Sequence, residues 1–142
     1  MDFAMNEKCA AGTGRFIEVM ARVLQVNLDQ MGELSSQKQK DIRISSMCTV
    51  FAESEIIGKI AQGCHREDII YGLHVAIADR IVPMIKRIGM QKDVILTGGV
   101  ARNKGIVDVF SEKLQTKISV PAKPQLVGAL GAALYGIEEE SQ

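Results

Sequence analysis

The stretch Asp93-Val-Ile-Leu-Thr-Gly-Gly-Val-Ala-Arg-Asn103 decides the fold prediction, because an apolar run passes through a double glycine into a helix. Its first five residues are typical of a short buried strand. Gly98 and Gly99 then present backbone N–H groups at the carboxyl end of that strand, where α/β proteins usually bind ligands. We therefore predict a ligand site at Gly98, Gly99 and Asn103, while Asn103 also fits the ordinary role of a helix cap.

The rest of the chain extends this unit into an α/β pattern with an incomplete sheet. Apolar spacing and helix-end signals predict helices at 12–26, 49–62, 66–88, 103–114 and 125–135. Strands are predicted at 1–5, where one ends, at 93–97 and at 117–120, with a short extended segment at 41–45 and a loop with a helical turn at 27–40. Pro83 is expected to kink or end its helix. The small residues from Gly128 to Ala133 are expected to permit close packing of the last helix against a neighbour.

Length and charge exclude several classes of function. The 142 residues correspond to about one domain, and 17 basic against 17 acidic residues leave no net charge. A neutral chain with no Trp and few other aromatic residues is a poor candidate for binding nucleic acid or an anionic membrane surface. No apolar run approaches the roughly 20 residues that span a bilayer. Since the N-terminus also lacks the apolar core of a signal peptide, we predict a cytoplasmic location.

Cys9 and Cys48 each introduce a predicted helix. Because exposed amides and the helix dipole favour a thiolate there, both residues suit soft metals or an iron–sulfur cluster. Two such thiols per chain would require a second copy to complete a four-cysteine cluster. Two alternatives stay open: a free cysteine is often a small buried hydrophobe, and a zinc site is less favoured without C-x-x-C spacing. Cys64, His65 and His74 are interpreted as ordinary surface or helix residues.

Gly12 and Gly14 open the first predicted helix. Glycine lets the N–H groups of a helix N-terminus approach an anion closely, and that anion would be a phosphate or the inorganic sulfides of a cluster. The same residues also fit a tight turn into an ordinary helix, so both interpretations remain open.

Four segments in a fixed order carry a resemblance to a known family. They are Asn6-Glu-Lys-Cys-Ala-Ala-Gly-Thr-Gly-Arg-Phe16, Ser46-Met-Cys-Thr-Val-Phe-Ala-Glu-Ser-Glu55, Thr97-Gly-Gly-Val-Ala-Arg-Asn103 and Pro124-Gln-Leu-Val-Gly-Ala-Leu-Gly-Ala-Ala133. Together they resemble the BadF/BadG/BcrA/BcrD-type ATPases. Within that family they are similar to the activators of 2-hydroxyacyl-CoA dehydratases, such as 2-hydroxyglutaryl-CoA dehydratase component A. The resemblance covers nearly the whole chain.

The resemblance implies a fold of the acetate and sugar kinase, Hsp70 and actin type, with two ribonuclease H-like halves and ATP in the cleft between them. It implies a homodimer that holds one [4Fe-4S] cluster through Cys9 and Cys48 of each subunit, with Gly12 and Gly14 presenting amides toward it. ATP binding and hydrolysis would change the angle between helices that point at the cluster. One low-potential electron would then pass to the partner protein, a 2-hydroxyacyl-CoA dehydratase.

The same resemblance places Gly98, Gly99 and Asn103 in an adenosine pocket, with Gln125 near the base. Two family features are absent from the sequence, namely the Asp-x-Gly-Ser-Thr-like first phosphate loop and the Asp-Ile-Gly-Gly-Gln-Asp-type second loop. Residues 1–142 are therefore predicted to be the C-terminal part of an activator, with a partial site for ATP or ADP and magnesium and no ATPase activity alone. The alternatives are a cluster-free nucleotide-binding or kinase-like domain, and a remnant domain that only oligomerises.

Overall fold

The structure, a computed structural model, describes residues 3–5, 12–45 and 48–140. Six α-helices occupy most of them: α1 (Gly12–Val23), α2 (Met31–Ser36), α3 (Thr49–Ala61), α4 (Arg66–Arg87), α5 (Lys104–Leu114) and α6 (Val127–Glu140). Short 3₁₀ turns at Leu28–Gln30, Gly99–Arg102 and Pro124–Leu126 precede α2, α5 and α6. None of the helices in the described ranges combines the length and apolar character needed to cross a bilayer.

The core forms around α4, on which apolar residues recur every three to four positions. Ile70, Leu73 and Ile77 are buried on this helix. The helices α2 and α5 pack against α4, while α1 packs against α3, which also contacts α4. Phe16 and Met20 of α1 join the same buried cluster. The amphipathic spacing predicted for α1, α4 and α5 thus faces one core, against which α2 also packs.

The extended segment at 41–45 crosses α4 at a glycine. A Cβ atom built on Gly72 would overlap the carbonyl oxygen of Ile42, so the close approach requires glycine at this position. One turn earlier on α4, the buried carboxylate of Asp68 accepts hydrogen bonds from the backbone N–H groups of Lys40 (2.8 Å) and Gln39 (2.7 Å). Because these bonds favour the charged form, they lower the pKa of Asp68. Together they fix the chain that leads into the extended segment.

The predicted sheet is reduced to one parallel bridge between Ile95 and Ser119. The N–H of Leu96 donates to the carbonyl of Ser119 (3.0 Å), and the N–H of Ser119 donates to the carbonyl of Val94 (2.9 Å). Within the described ranges no further strand extends this pairing, and so short a parallel pair does not form a ladder. The two strands predicted here are therefore wrong, and the side chain of Ile95, expected to be buried, is 60% exposed.

Other differences concern helix boundaries and packing. Segment 27–40, predicted as a loop with a helical turn, contains the 3₁₀ turn Leu28–Gln30 and the short helix α2. The helix α4 continues past Pro83 to Arg87, so this proline does not end it. Residues 3–5 form no strand, and residues 1–2 of the same predicted strand lie outside the described residues. None of the residues of α6 is buried, so the close packing expected from its small residues is absent from the described structure.

Candidate functional site

A cavity of about 360 Å³ lies between α1 and the turn that precedes α5. Its walls come from α1, from the turn before α2, from the turn Gly99–Arg102 and from the turn before α6. The lining residues are Gly14, Ile17, Glu18, Leu28, Asp29, Gly99, Val100, Arg102, Asn103 and Gln125. Gly14, Gly99, Asn103 and Gln125, which belong to three separate sequence motifs, therefore line one cavity.

The turn at Gly98 brings two walls of this cavity together. Gly98 has a φ of 85°, a conformation that glycine adopts readily. Its N–H donates to the carbonyl of Pro124 (2.8 Å), so the turn before α6 is held against the turn before α5. As a result, a Cβ atom added at Gly99 would lie 3.6 Å from Nε2 of Gln125. Gly98 itself does not line the cavity, and neither does Gly12, which is exposed at the start of α1.

Asn103 connects the cavity to the core. Its Oδ1 accepts a hydrogen bond from the N–H of Ile106 (3.2 Å), which caps α5 as the sequence allowed. Its Nδ2 lies 3.2 Å from Nε2 of His74, whose Nδ1 lies 2.9 Å from Oγ of Ser35. Burial lowers the pKa of His74 to about 4, so the ring is neutral at neutral pH. The sequence reading missed this network, because it interpreted His74 as an ordinary helix residue.

The chemistry of the lining favours a polar, largely uncharged ligand group. Glu18 and Asp29 supply carboxylates, which accept hydrogen bonds from hydroxyl or amino groups. Among the lining residues that the structure describes, Arg102 is the one cation, and its Nη2 lies 3.5 Å from Oδ1 of Asp29. Both of these side chains are largely exposed, so the ion pair contributes little stability. With Ile17 and Val100 beside these groups, the cavity suits a sugar and a flat ring better than a cluster of phosphates.

The two cysteines predicted as cluster ligands differ in what the structure says of them. Cys48 is exposed and lies directly before α3, where its side chain makes no capping hydrogen bond. An exposed thiol at a helix N-terminus has the donor chemistry of an iron ligand, so Cys48 fits that role. Cys9 lies outside the described residues. Across residues 3–5, 12–45 and 48–140, no three His, Cys, Asp or Glu side chains are grouped to hold a metal ion.

Comparison of the whole sequence with known families defines the class of protein. The sequence profile of the BadF/BadG/BcrA/BcrD ATPase family matches residues 1–136, so the chain belongs to that family. This confirms the resemblance that was read from four sequence segments.

Three similar proteins are an activator of a dehydratase, a second such activator of known structure and a dehydratase component A. The chain is 53% identical over 136 residues to the activator of lactoyl-CoA dehydratase from Anaerotignum propionicum, covering 96% of this chain and 52% of the relative. The solved structure of the activator of the 2-hydroxyisocaproyl-CoA dehydratase from Clostridium difficile with bound ADPNP superimposes with a TM-score of 0.91 at 50% identity, covering 98% of this chain and 52% of that one. Component A of the (R)-2-hydroxyglutaryl-CoA dehydratase from Acidaminococcus fermentans superimposes with a TM-score of 0.93 at 45% identity. The superposition covers 100% of this chain and 55% of that one. The chain thus spans about half the length of these relatives and corresponds to their C-terminal part.

Proposed function

We propose that this chain is the C-terminal part of an ATP-dependent activator of a 2-hydroxyacyl-CoA dehydratase, and that its cavity binds the nucleoside of ATP or ADP. The observation that carries this proposal is the cavity that Gly14, Gly99, Asn103 and Gln125 line together. Support comes from the activator of the 2-hydroxyisocaproyl-CoA dehydratase, which superimposes on this chain and whose structure contains ADPNP.

The lining residues also indicate which part of an actin-like activator would bind the nucleoside and which part would be needed for hydrolysis. Amides and carboxylates fit the hydroxyl and amino groups of a nucleoside, whereas Arg102 alone is a weak site for a triphosphate. Phosphoryl transfer depends on several charged groups that position the phosphates and magnesium. The two phosphate loops typical of the family are absent from these 142 residues. We therefore infer that the chain binds nucleotide without hydrolysing it, and that hydrolysis requires the N-terminal half of the fold.

Isothermal titration calorimetry with ADP tests the nucleotide proposal. We expect saturable binding to the chain, and binding about 3- to 10-fold weaker in Gln125→Ala, because one hydrogen-bonding side chain is lost. The matched control is Gln62→Ala, an exposed glutamine at the end of α3 that does not line the cavity. Absence of ADP binding by the unchanged chain, or equal affinity of the two variants, would contradict the assignment of the cavity.

The second part of the proposal concerns the cluster. Two copies of the chain would hold one [4Fe-4S] cluster through Cys9 and Cys48 of each copy, and the bound cluster would supply a one-electron donor of low potential for the dehydratase. What this chain contributes is an exposed thiol at the N-terminus of α3 and a second cysteine shortly before α1.

Anaerobic reconstitution with iron and sulfide tests the cluster proposal. We expect a brown dimer from the unchanged chain and from Cys64→Ala, and a colourless chain from Cys48→Ala. Cys64 is the matched control because it is a half-buried cysteine at the opposite end of α3, outside the proposed ligand pair. If the unchanged chain stays colourless and monomeric while it still binds ADP, the cluster-free nucleotide-binding alternative is favoured. A dimer that forms without metal would favour the oligomerisation alternative.

A further inference from the structure

We propose that His74 is a positioning residue of the nucleotide cavity, which fixes the orientation of the Asn103 side-chain amide and thereby the turn that forms one wall. This inference rests on the proposed nucleotide binding. It assigns a role to a buried histidine that touches neither the cavity nor any proposed ligand.

The His74 ring lies in the core with a hydrogen-bond partner on each side. The residue is 1% exposed and sits in the middle of α4. Its Nδ1 lies 2.9 Å from Oγ of Ser35 on α2, and its Nε2 lies 3.2 Å from Nδ2 of Asn103. Ser35 is also buried. The ring therefore connects three elements of the fold rather than filling apolar space.

The hydrogen bonds of Asn103 determine which ring nitrogen carries the proton. Because Oδ1 of Asn103 accepts from the N–H of Ile106 (3.2 Å), the amide atom that faces the ring is Nδ2, which can only donate. Nε2 of His74 must then accept, so the proton of the neutral ring lies on Nδ1 and is donated to Ser35. Burial, which lowers the pKa of the ring to about 4, keeps it in this neutral form.

Two glycines allow close packing around the network. A Cβ atom on Gly105 would lie 2.9 Å from Nδ1 of His74, closer than real Cβ contacts allow. A Cβ atom on Gly32 would lie 3.0 Å from the backbone nitrogen of Lys104 and 3.1 Å from Oδ1 of Asn103. Glycine at these two positions therefore lets α2 and the start of α5 pack directly against the amide and the ring.

Asn103 links the orientation of its side chain to the wall of the cavity. It lines the cavity directly, and its backbone N–H donates to the carbonyl of Val100 (3.0 Å), which closes the turn Gly99–Arg102. Its carbonyl and its Oδ1 both accept from the N–H of Ile106 in the first turn of α5 (3.1 and 3.2 Å). Rotation of the amide would remove the cap of α5 and a polar group of the wall together.

The first test measures the tautomer of the His74 ring. Long-range ¹H–¹⁵N NMR of the unchanged chain should show His74 as the neutral Nδ1–H form at pH 7. In Asn103→Asp both side-chain oxygens accept, so the proton should move to Nε2, a change that a purely space-filling histidine would not show. An unchanged spectrum in Asn103→Asp, or an Nε2–H form in the unchanged chain, would overturn the proposal.

The second test uses calorimetry with ADP. We expect His74→Leu, which removes the acceptor, to weaken ADP binding about tenfold, and His74→Gln, whose amide oxygen can accept from Asn103, to restore most of it. His65→Gln is the matched control, because His65 is exposed before α4 and is the other histidine of the chain. Affinity of a folded His74→Leu equal to that of His65→Gln would refute the positioning role. If His74→Leu does not fold, Ser35→Ala serves as the second variant, because it removes only the partner of Nδ1. Ser35→Ala should weaken ADP binding, and unchanged affinity would count against the proposal.

Failure of the unchanged chain to bind ADP would instead refute the nucleotide assignment.

Discussion

The helices α4 and α6 are both rich in apolar residues, yet one is the centre of the core and the other has no buried residue. On α4, Leu73 is 1% exposed. On α6, Leu130 is 60% exposed. The difference comes from the neighbours, because α2 and α5 pack on α4, whereas no helix covers the apolar side chains of α6 in the described structure. Apolar composition therefore predicts that a helix forms, but only its neighbours determine whether its surface is removed from water.

Truncation of one leucine on each helix should give the largest difference between them. We expect Leu73→Ala to lower the free energy of unfolding by about 3 kcal/mol, within the usual range for a cavity left in a packed core. Leu130→Ala removes the same atoms from an exposed site, so its effect should stay within about 0.5 kcal/mol. Urea unfolding of the two variants measures both values. Similar losses for the two variants would show that α6 is packed in solution.

The pH dependence of stability should come from the buried histidine of α4. His74 has a pKa of about 4 in the folded protein and about 6.5 when unfolded, so between these values the unfolded chain binds more protons. The free energy of unfolding should fall as the pH drops from about 6.5 to about 4, by an amount on the order of 3 kcal/mol. Below that range the lowered pKa of Asp68 adds a further loss of stability as its carboxylate is protonated.

Urea unfolding at a series of pH values measures this dependence. The slope between pH 6.5 and 4 should become much smaller in His74→Gln and should persist in His65→Gln. A slope that disappears only in the His65 variant would assign it to the exposed histidine instead.

Glycine-to-alanine substitutions compare the packing of α4 and α6 by adding one methyl group to each helix. Gly72→Ala should destabilise the protein by about 1 to 3 kcal/mol, since the new methyl group meets the backbone of Ile42. Gly131 of α6 has no atom within 4 Å of an added Cβ, so Gly131→Ala should only strengthen the helix itself, by less than about 1 kcal/mol. Urea unfolding measures the first effect, and amide hydrogen exchange along α6 measures the second. Faster exchange of α6 in Gly131→Ala would contradict this assignment.

Periodicity was sufficient to predict the long helices but not the sheet. The helices α1, α3, α4 and α5 match predicted segments within a few residues, because α1, α4 and α5 each carry an apolar stripe and helix-end signals mark α3. The six residues of α2 are too few to show such a stripe, and the packing of this helix on α4 and α5 stabilises it instead. A strand depends on its partners, and within the described ranges Ile95 pairs with Ser119 in one isolated bridge. No local sequence pattern predicts how many partner strands a segment will have.

The candidate site was predictable only in part. Glycine motifs indicated Gly99 and Gly14, which line the cavity, because glycine near a helix start has a recognisable local role. Asp29 lies in a polar turn with no distinctive pattern, and its place in the lining depends on tertiary structure. The same holds for His74, whose partners lie 39 and 29 residues away along the chain. The ligand roles of Cys9 and Cys48 stay predictions.

The hydrogen bond between Gly98 and Pro124 has a consequence for communication across the molecule. The turn that it anchors carries Gln125 into the cavity and continues without interruption into α6. A ligand that holds Gln125 and a protein that holds α6 therefore act on one short stretch of chain. Thermodynamics then requires reciprocity: if a bound ligand changed the affinity of α6 for another protein by some factor, that protein would change the affinity for the ligand by the same factor.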